Sequence, residues 1–334
     1  MERIGIIGAG AWGTALAQSL ARAGRAVVIW AHEAETVAAL NRDHANAVFL
    51  PGIALDPAIR ATSSLGEAAA ADAVLLAVPA QHLRAIGAAL AAAASAPVPV
   101  VVCAKGIEVA TGALMTEIVA ATLPGRPCAV LSGPTFAAEV ARGLPTAVTL
   151  ACADATLGRS LVDALGSRTL RPYLADDPVG AEIGGAVKNV LAIACGIVIG
   201  RGLGDDARAA LITRGLAEMV RLARAKGGRA ETLMGLSGLG DLTLTCTSLQ
   251  SRNYTLGVAL GEGQALAAIL AGRRSVAEGV TSTPATLALA QRLGIDMPIA
   301  AAVDAILHRG AAIDAVIEAL LARPFRSESG ASIP

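Results

Sequence analysis

The chain of 334 residues carries 27 basic and 27 acidic side chains, and 54% of its residues are hydrophobic. This composition excludes a largely disordered protein, and the balanced charge gives no indication of binding to nucleic acid or to an anionic membrane surface. The length predicts two domains, with ample chain for a hydrophobic core.

The first predicted unit is a strand, a glycine-rich turn and a helix. An apolar strand at 4–7 leads into Gly8, Gly10 and Gly13, which form a GxGxxG pattern, and 14–23 follows with a helical pattern. The first glycine allows a tight turn, the second lets the backbone approach a pyrophosphate, and the third lets the helix pack on the strand. The positive end of the helix then faces the phosphates. We therefore predict a dinucleotide-binding turn rather than a purely structural one.

The second predicted strand, at 26–30, bears on the choice of cofactor. A carboxylate at the end of this strand would bind the ribose 2′-hydroxyl of NAD. The chain instead has Ala31, His32 and Glu33 there, so the acidic residue is displaced. Because a histidine can bind a 2′-phosphate, we predict NADP as the cofactor, with NAD as the alternative. A solvated loop histidine is the competing interpretation of His32.

Strands and helices continue to alternate up to about residue 174. In a doubly wound sheet, ligands bind at the carboxyl ends of the strands. Lys105 lies at such an end, so we predict that it contacts substrate or cofactor rather than being an ordinary surface lysine. Gly133 and Thr135 follow the next strand and offer amide and hydroxyl donors. The predicted strands are 73–78, 97–106, the start of 129–136, 147–152 and 169–174, with helices at 81–94 and 155–165.

The pattern changes near Asp177, after which we predict helices and no strand. The predicted fold class is therefore an α/β, Rossmann-type doubly wound sheet at 1–177, an all-α domain at 178–325 and a flexible tail at 326–334. Asp205 and Asp206 resemble an N-cap for the second long helix. The glycine-rich stretch 235–246 looks too irregular for a helix. The predicted helices are 179–204, the helix after Asp206 that ends at Gly227, 255–261, 264–271, 282–293, 299–308 and 312–322.

The helix at 179–204 is apolar and has Lys188 in its middle. Its uninterrupted apolar run is shorter than the roughly 20 residues of a membrane span, so we predict a core helix. A buried ammonium group is costly, and a buried lysine is therefore usually partnered, neutral or in use. Only three of the 27 basic residues are lysines. Since lysine can shift its pKa and arginine cannot, we predict that Lys188 is a general acid/base.

Several kinds of site find no support in the sequence. There is no P-loop, HExxH or GxSxG motif. The five cysteines are far apart and have no zinc-ligand spacing, so we predict no metal site. Their odd number is typical of a reducing compartment, and the residues after Met1 lack the features of a signal peptide. We therefore predict a cytoplasmic protein.

Hydride transfer is the chemistry that the remaining features favour. It needs a nicotinamide held against a carbonyl and a group that exchanges a proton with the carbonyl oxygen. An anionic substrate would also need a cation. Arg252, with Ser251 and Asn253 beside it, has the composition of a phosphate clamp. A solvated loop arginine is the alternative interpretation of Arg252.

With these motifs in place, the sequence resembles the bacterial-type NAD(P)-dependent sn-glycerol-3-phosphate dehydrogenases. The similarity extends in matching order from about residue 4 to residue 299 and is weaker beyond. The blocks that carry it are GIIGAGAWGTALA, NAVFLPG, CAKG, SGPTFAAEVARGLPTAV, GGAVKNVLAI, ARAALITRGLAEM, GLGDLTLTCTS, QSRN and AEGV.

The resemblance implies a Rossmann domain and an all-helical domain with the active site between them. It also implies reversible reduction of dihydroxyacetone phosphate to glycerol 3-phosphate, which feeds phospholipid synthesis. By motif, Lys188 is the general acid/base, which Asp241 could orient. The implied substrate contacts are Lys105, Gly133, Thr135, Asp241, Ser251, Arg252 and Asn253. The implied cofactor contacts are Gly8, Gly10, Ala11, Trp12, Gly13, His32, Lys105, Ala137, Arg252, Val276 and Glu278.

The chain departs from the family pattern at a few positions, none of which removes a catalytic group. Ala11, Ala138 and Tyr254 replace more polar residues, and Val198 and Ile199 make the end of the central helix more apolar, so we expect apolar neighbours there. Two alternatives remain open: a related two-domain β-hydroxyacid or sugar-phosphate dehydrogenase, and a non-catalytic dinucleotide-binding protein. We expect a small phosphorylated substrate as partner. A homodimer is compatible with the helical domain, although the sequence does not require it.

Overall fold

The computed structural model describes residues 1–94, 96–272 and 277–324. Strands and helices alternate in the first half, and the second half is helical, which confirms the predicted fold class. The strands are β1 (Arg3–Ile7), β2 (Ala26–Trp30), β3 (Ala45–Asn46), β4 (Leu50–Ala54), β5 (Arg60–Thr62), β6 (Ala73–Leu76), β7 (Val100–Val102), β8 (Cys128–Ser132), β9 (Thr146–Ala151) and β10 (Leu170–Ala175).

The helices of the first half flank this sheet, and those of the second half pack around one long member. In the first half they are α1 (Ala11–Arg22), α2 (Ala34–Arg42), α3 (Leu65–Ala69), α4 (Leu83–Ala93), α5 (Met115–Thr122), α6 (Ala137–Arg142) and α7 (Ala155–Leu165). In the second half they are α8 (Pro178–Gly200), α9 (Gly204–Lys226), α10 (Ala230–Leu233), α11 (Asp241–Thr247), α12 (Arg252–Gly261), α13 (Leu266–Ala271), α14 (Glu278–Arg292), α15 (Pro298–Arg309) and α16 (Ile313–Leu321).

The main sheet has the order β10-β9-β8-β7-β6-β1-β2-β5, while β3 and β4 form a separate hairpin. Neighbours from β8 to β5 are parallel, as in a doubly wound nucleotide-binding sheet. The pairing of β8 with β9 is antiparallel, so β9 and β10 run the other way. Apolar side chains alternate between the two faces of the sheet, and a separate apolar cluster surrounds α8. The carboxyl ends of β1, β6, β7 and β8 therefore share one edge.

Four of the local predictions were wrong in extent or type. The stretch 235–246, predicted to be irregular, forms a one-turn π-helix at Leu236–Gly240 that continues into α11. The predicted strand at 97–106 is regular only over β7, and the predicted helix at 179–204 ends at Gly200. Asp205 and Asp206 lie in the first turn of α9 rather than at its N-cap, which is Leu203. Helices α2 and α5, both amphipathic and short, were not predicted.

The long helix α8 is buried from Gly180 to Val198. Asp177 caps it, because its side chain accepts a 2.9 Å hydrogen bond from the Gly180 amide. Among the described residues, only this helix is long and apolar enough to cross a membrane, yet 89% of its most apolar 18-residue window is buried within the protein. We therefore interpret it as the predicted core helix. Val198 is buried and Ile199 packs against the surrounding apolar cluster, as expected for that end.

Helices α8 and α12 approach each other backbone to backbone through glycines. A Cβ atom at Gly257 would lie 2.2 Å from the Ile193 carbonyl oxygen, and one at Gly196 would lie 2.1 Å from the Tyr254 carbonyl oxygen. Gly200 and Gly261 continue the same contact one turn further along. Small residues at this spacing let two helix axes come close. The contact fixes α12 along the C-terminal half of α8, which follows Lys188 in the chain.

We expect Gly257→Ala to lower the free energy of unfolding by about 2 kcal/mol, because a Cβ 2.2 Å from a backbone oxygen places the overpacking cost at the upper end of its range. Overpacking against backbone atoms costs about 1–3 kcal/mol, and it opposes the roughly 1 kcal/mol that alanine gains over glycine in helix propensity. Urea denaturation would measure the change. Gly272→Ala is the matched control, since the nearest atom to its Cβ would be 3.8 Å away. Equal stability of the Gly257→Ala variant and the wild type would contradict the close helix contact.

The domain limits at 177/178 and near 325 stay predictions. The last strand of the sheet ends at Ala175 and α8 begins at Pro178. The predicted tail at 326–334 lies outside the described residues.

Candidate active site

The glycine-rich turn between β1 and α1 has three glycines in three different environments. Gly8 has a φ of +114°, and a Cβ there would lie 2.8 Å from the Ala77 carbonyl oxygen. A Cβ at Gly13 would lie 1.9 Å from the Gly8 carbonyl oxygen, so both positions exclude a side chain. Gly10 has no atom within 4 Å of such a Cβ. The turn is thus open at Gly10, where a ligand can approach the backbone.

Asn46 braces this turn and was not predicted as a functional residue. Its side-chain amide donates to the Ala9 carbonyl at 2.8 Å and to Thr14 Oγ1 at 2.9 Å, and Asn46 is buried. The Thr14 hydroxyl also donates to the Ala9 carbonyl. Asn46 lies in the NAVFLPG block, but its partners are over thirty residues away in the chain. Only the folded β3–β4 hairpin shows the connection.

The lysine predicted at a strand end lies on the same edge of the sheet as the glycine turn. Lys105 follows β7, which is separated from β1 only by β6. Gly8 and Gly106 both pack against the loop after β6, since their Cβ atoms would meet Ala77 and Ala80 respectively. The turn and Lys105 therefore lie along the same edge of the sheet, at the carboxyl ends of the strands.

Asp241 joins two lysines across the domain boundary. Lys188 Nζ on α8 donates to Asp241 Oδ1 at 2.5 Å, and Lys105 Nζ donates to Asp241 Oδ2 at 2.7 Å. Asp241 is 0% exposed, and the Lys188 and Lys105 side chains are 8% and 14% exposed. Lys105 Nζ also donates to the Gly133 carbonyl at 3.0 Å. Four residues predicted from four motifs thus form one hydrogen-bonded cluster.

Thr245 completes the surroundings of Lys188 and was also not predicted. Its hydroxyl accepts a 3.0 Å hydrogen bond from Lys188 Nζ and donates to the Asp241 carbonyl at 2.6 Å. Thr245 lies one turn after Asp241 on α11, so both face α8. Sequence reasoning missed it because the stretch was not assigned to a helix. The spacing of four residues within GLGDLTLTCTS would have shown the pair once α11 was recognised.

Burial and charge act in opposite directions on Lys188. Burial lowers the pKa of its ammonium group from the ordinary value, the charge of Lys105 lowers it further, and the Asp241 carboxylate raises it, with a net result of about 8. A pKa near 8 leaves both protonation states accessible near neutral pH. Lys188 can therefore donate and accept a proton, as a general acid/base must.

A second group of polar side chains continues from Asn189, the neighbour of Lys188. Asn253 Nδ2 donates to Asn189 Oδ1 at 2.9 Å, and the Gly279 amide donates to Asn253 Oδ1 at 2.9 Å. Asn189 Nδ2 reaches Glu278 Oε2 at 3.5 Å. Asn189 lies in GGAVKN but was not singled out. The group ties α8, α12 and α14 together beside the lysine cluster.

The predicted phosphate clamp lies at the start of α12. Ser251 is its N-cap and accepts a 3.2 Å hydrogen bond from the Tyr254 amide. Arg252 is the first helical residue and is exposed. Burial raises the pKa of the Glu278 carboxyl, and the charge of Arg252 opposes that rise, so the two groups are close. A cation at a helix N-terminus is suited to an anionic ligand.

The remaining predicted cofactor residues lie along the sheet edge. Ala11 and Trp12 begin α1, and the buried Trp12 Nε1 has no hydrogen-bond partner among the described residues. Ala137 begins α6, and Thr135 Oγ1 reaches the Gly133 carbonyl at 3.3 Å. His32 is exposed beyond β2, with its ring centroid 6.1 Å from that of Trp30. It does not join the lysine cluster. Val276 lies outside the described residues.

These features fit a dinucleotide, whereas a metal site finds no support. The open backbone at Gly10 and the N-terminus of α1 offer the contacts that a pyrophosphate needs. In 1–94, 96–272 and 277–324, no group of three or more histidine, cysteine, aspartate or glutamate side chains could hold a metal ion. The lysine cluster lies at the same edge of the sheet and could serve proton transfer beside a bound cofactor.

Comparison with known proteins places the chain in a family. Residues 3–158 match the model of the NAD-dependent glycerol-3-phosphate dehydrogenase N-terminus, and residues 177–318 match that of the NAD-dependent glycerol-3-phosphate dehydrogenase C-terminus. The two matches correspond to the sheet half and the helical half of the structure.

Individual relatives match over nearly the whole chain. The chain is 59% identical to glycerol-3-phosphate dehydrogenase (NAD(P)+) of Parvibaculum lavamentivorans, over 98% of each chain. It is 58% identical to that of Caulobacter vibrioides, over 98% of this chain and 99% of the relative. The crystal structure of glycerol-3-phosphate dehydrogenase from Coxiella burnetii superposes with a TM-score of 0.92 at 40% identity, covering 96% of this chain and 99% of that one. These matches confirm the resemblance seen in the motifs, and the chain belongs to the NAD-dependent glycerol-3-phosphate dehydrogenase family.

Proposed function

We propose that the protein catalyses the reversible, NAD(P)H-dependent reduction of dihydroxyacetone phosphate to sn-glycerol 3-phosphate and supplies glycerophospholipid synthesis in the cytoplasm. The observation that carries this proposal is the Lys105–Asp241–Lys188 cluster at the carboxyl edge of the sheet. A protein that only bound a dinucleotide would need the glycine turn but no buried, partly neutral lysine beside it. The cluster therefore favours catalysis over binding alone.

The glycine turn would hold the cofactor. Gly8, Gly10 and Gly13 shape the turn, and the amides at the start of α1, from Ala11 and Trp12, would meet the pyrophosphate. When bound, a reduced nicotinamide supplies a hydride to a carbonyl carbon. The protein's part is to place the substrate, exclude water and move a proton.

Lys188 would deliver the proton to the carbonyl oxygen during reduction and remove it during oxidation. Asp241 and Thr245 fix the direction of its Nζ, because they accept hydrogen bonds from two of the three N–H groups of the ammonium. The third N–H is then available for a substrate oxygen. Lys105 lies 2.7 Å from the same carboxylate and would add positive charge where the alkoxide develops.

Arg252 would bind the substrate phosphate at the start of α12, with Ser251 and Asn253 beside it. Gly133 and Thr135 would contact the substrate from the opposite domain. Phosphate binding at a distance from the reacting carbonyl would align the carbonyl with Lys188, which uses remote binding energy to accelerate the chemical step. The close contact of α12 with α8 supports this division of roles, since it fixes the clamp relative to the acid.

We expect Arg252→Ala to raise KM for dihydroxyacetone phosphate about 10–100-fold, because a charge-assisted bond to phosphate contributes about 1.5–3 kcal/mol. The effect on kcat should be smaller. Initial rates at saturating NADPH would measure it. Arg224→Ala, in the last turn of α9, is the control and should retain the wild-type KM. An unchanged KM in Arg252→Ala would remove the clamp from the proposal.

The proposal also includes a preference for NADP over NAD, supported by His32 at the end of β2 and by the displaced acidic residue Glu33. Initial rates with dihydroxyacetone phosphate and either NADPH or NADH test both the reaction and the preference. Turnover of another phosphorylated or β-hydroxyacid substrate in place of dihydroxyacetone phosphate would support a related dehydrogenase. NADPH binding without turnover of any ketone would support a non-catalytic protein. The homodimer stays a prediction.

A further inference from the structure

Glu182 connects the catalytic helix α8 with the Rossmann-type domain. It is 5% exposed, and its carboxylate accepts a 2.8 Å hydrogen bond from the Thr116 amide and a 2.6 Å hydrogen bond from Thr116 Oγ1. Thr116 is the second residue of α5, a helix that packs beside the sheet. A carboxylate of one domain thus caps the first turn of a helix in the other, where the helix dipole favours negative charge.

The contact is costly to bury, which indicates that its geometry matters. Burial raises the pKa of the Glu182 carboxyl to about 7, although the hydrogen bonds from Thr116 oppose that rise. Replacing a buried polar pair by apolar side chains is often neutral or stabilising. Stability alone is therefore a weak reason for a carboxylate at this point. A stronger reason is that the two directed hydrogen bonds from Thr116 fix the position of Glu182, and hence of α8, relative to α5.

Glu182 and Lys188 lie on the same rigid helix, six residues apart, a distance of about 9 Å along the axis. Between them, Gly185 packs against the other domain: a Cβ there would lie 2.9 Å from Ser132 Oγ and 3.2 Å from Lys105 Cγ. A small rotation or shift of α8 would bring these atoms into conflict or separate them. It would also change the distance of Lys188 from Lys105, which lies in the other domain.

We infer that Glu182 is a positioning residue: by binding Thr116 it sets the register of α8 against the Rossmann-type domain, and so places Lys188, together with its partner Asp241, opposite Lys105. This inference rests on the proposed function for its kinetic consequence. Its structural consequence, the placement of Lys188, is independent of which substrate is reduced.

The first test compares Glu182→Leu with a matched control, Glu218→Leu; leucine removes both acceptor oxygens and keeps most of the side-chain volume. Glu218 is also a buried carboxylate that caps a helix, accepting from the Ile299 and Ala300 amides at 2.7 and 3.3 Å, but both its partners lie in the helical domain. A displacement of the acid by less than 1 Å should lower kcat about 10-fold in Glu182→Leu. We expect unchanged NADPH affinity in both variants and wild-type kcat in Glu218→Leu. Equal kcat in the two variants, at equal loss of thermal stability, would overturn the inference.

The second test measures the chemical accessibility of Lys188 and does not depend on enzyme activity. The chain has only three lysines, so each labelled peptide can be assigned. Reductive methylation followed by peptide mass spectrometry would give the labelling rate of Lys188 relative to the α-amino group of Met1. We expect several-fold faster labelling of Lys188 in Glu182→Leu, which loses both hydrogen bonds, and an intermediate rate in Thr116→Val, which retains the amide and loses the hydroxyl. Wild-type labelling rates in both variants would contradict a positioning role. An inactive wild type with faster labelling in the variants would reject the proposed substrate while supporting the inference.

Discussion

Lys188→Ala should lower kcat for dihydroxyacetone phosphate reduction about 10²–10⁴-fold, the usual contribution of a positioned general acid. NADPH affinity should change little, since the glycine turn lies in the other domain. Lys188→Met, which keeps most of the side-chain volume, should show the same loss and would exclude an effect of the cavity. Lys226→Ala is the control, because its ammonium group pairs with Glu117 at the surface. Equal turnover in wild type and Lys188→Ala would show that Lys188 is not the general acid.

The same lysine predicts the direction of the pH dependence. As the proposed general acid, Lys188 must be protonated for reduction, so kcat for reduction should fall as pH rises through about 8, the pKa that burial, Asp241 and Lys105 together give this group. Oxidation of glycerol 3-phosphate requires the neutral amine and should become faster over the same interval. Rates measured in both directions between pH 6 and 10 would show the two opposite limbs. Two profiles of the same sign would contradict proton transfer by Lys188.

The importance of Lys188 could be predicted from the sequence, whereas its environment could not. A lysine in a long apolar helix, in a chain with few lysines, indicates an unusual role by its sequence context alone. Thr245 and the geometry of Asp241 depend on the turn at Leu236–Gly240. That turn is helical because Gly238 packs on Leu233 and because Gly184 of α8 packs on Ser237. These tertiary contacts override the low helix propensity of glycine, and no local pattern contains them.

The direction of β9 in the sheet is a second feature that the sequence alone could not predict. Its apolar alternation predicts a strand equally well in either direction. The chain between β8 and β9 contains only the six-residue helix α6, which does not cross the sheet and ends at Gly143 with a φ of +80°. The strand therefore starts at the edge where β8 ends and must run antiparallel. The direction of β9 thus depends on the shortness of α6, which cannot carry the chain back across the sheet. The sequence does not define the ends of α6 sharply, so it did not predict this direction.

Asp241→Asn should be the most damaging single change to the cluster. The variant leaves the ammonium groups of Lys105 and Lys188 buried beside a neutral amide, and breaking a buried ion pair costs about 3–5 kcal/mol. We therefore expect a lower urea midpoint and a large loss of kcat. Asp304→Asn is the matched control. Asp304 is also buried, but its partner Arg309 is 67% exposed and can regain water, so a much smaller loss of stability is expected.

The pH profile separates a catalytic role of Asp241 from a purely structural one. In the wild type, the Asp241 charge raises the pKa of Lys188 against the effects of burial and of Lys105. Without that charge, the pKa of Lys188 must fall below about 8. The residual reduction activity of Asp241→Asn should then decline at a lower pH than in the wild type. If the decline stays at the wild-type pH while stability falls, Asp241 holds the domains together but does not set the acidity of Lys188.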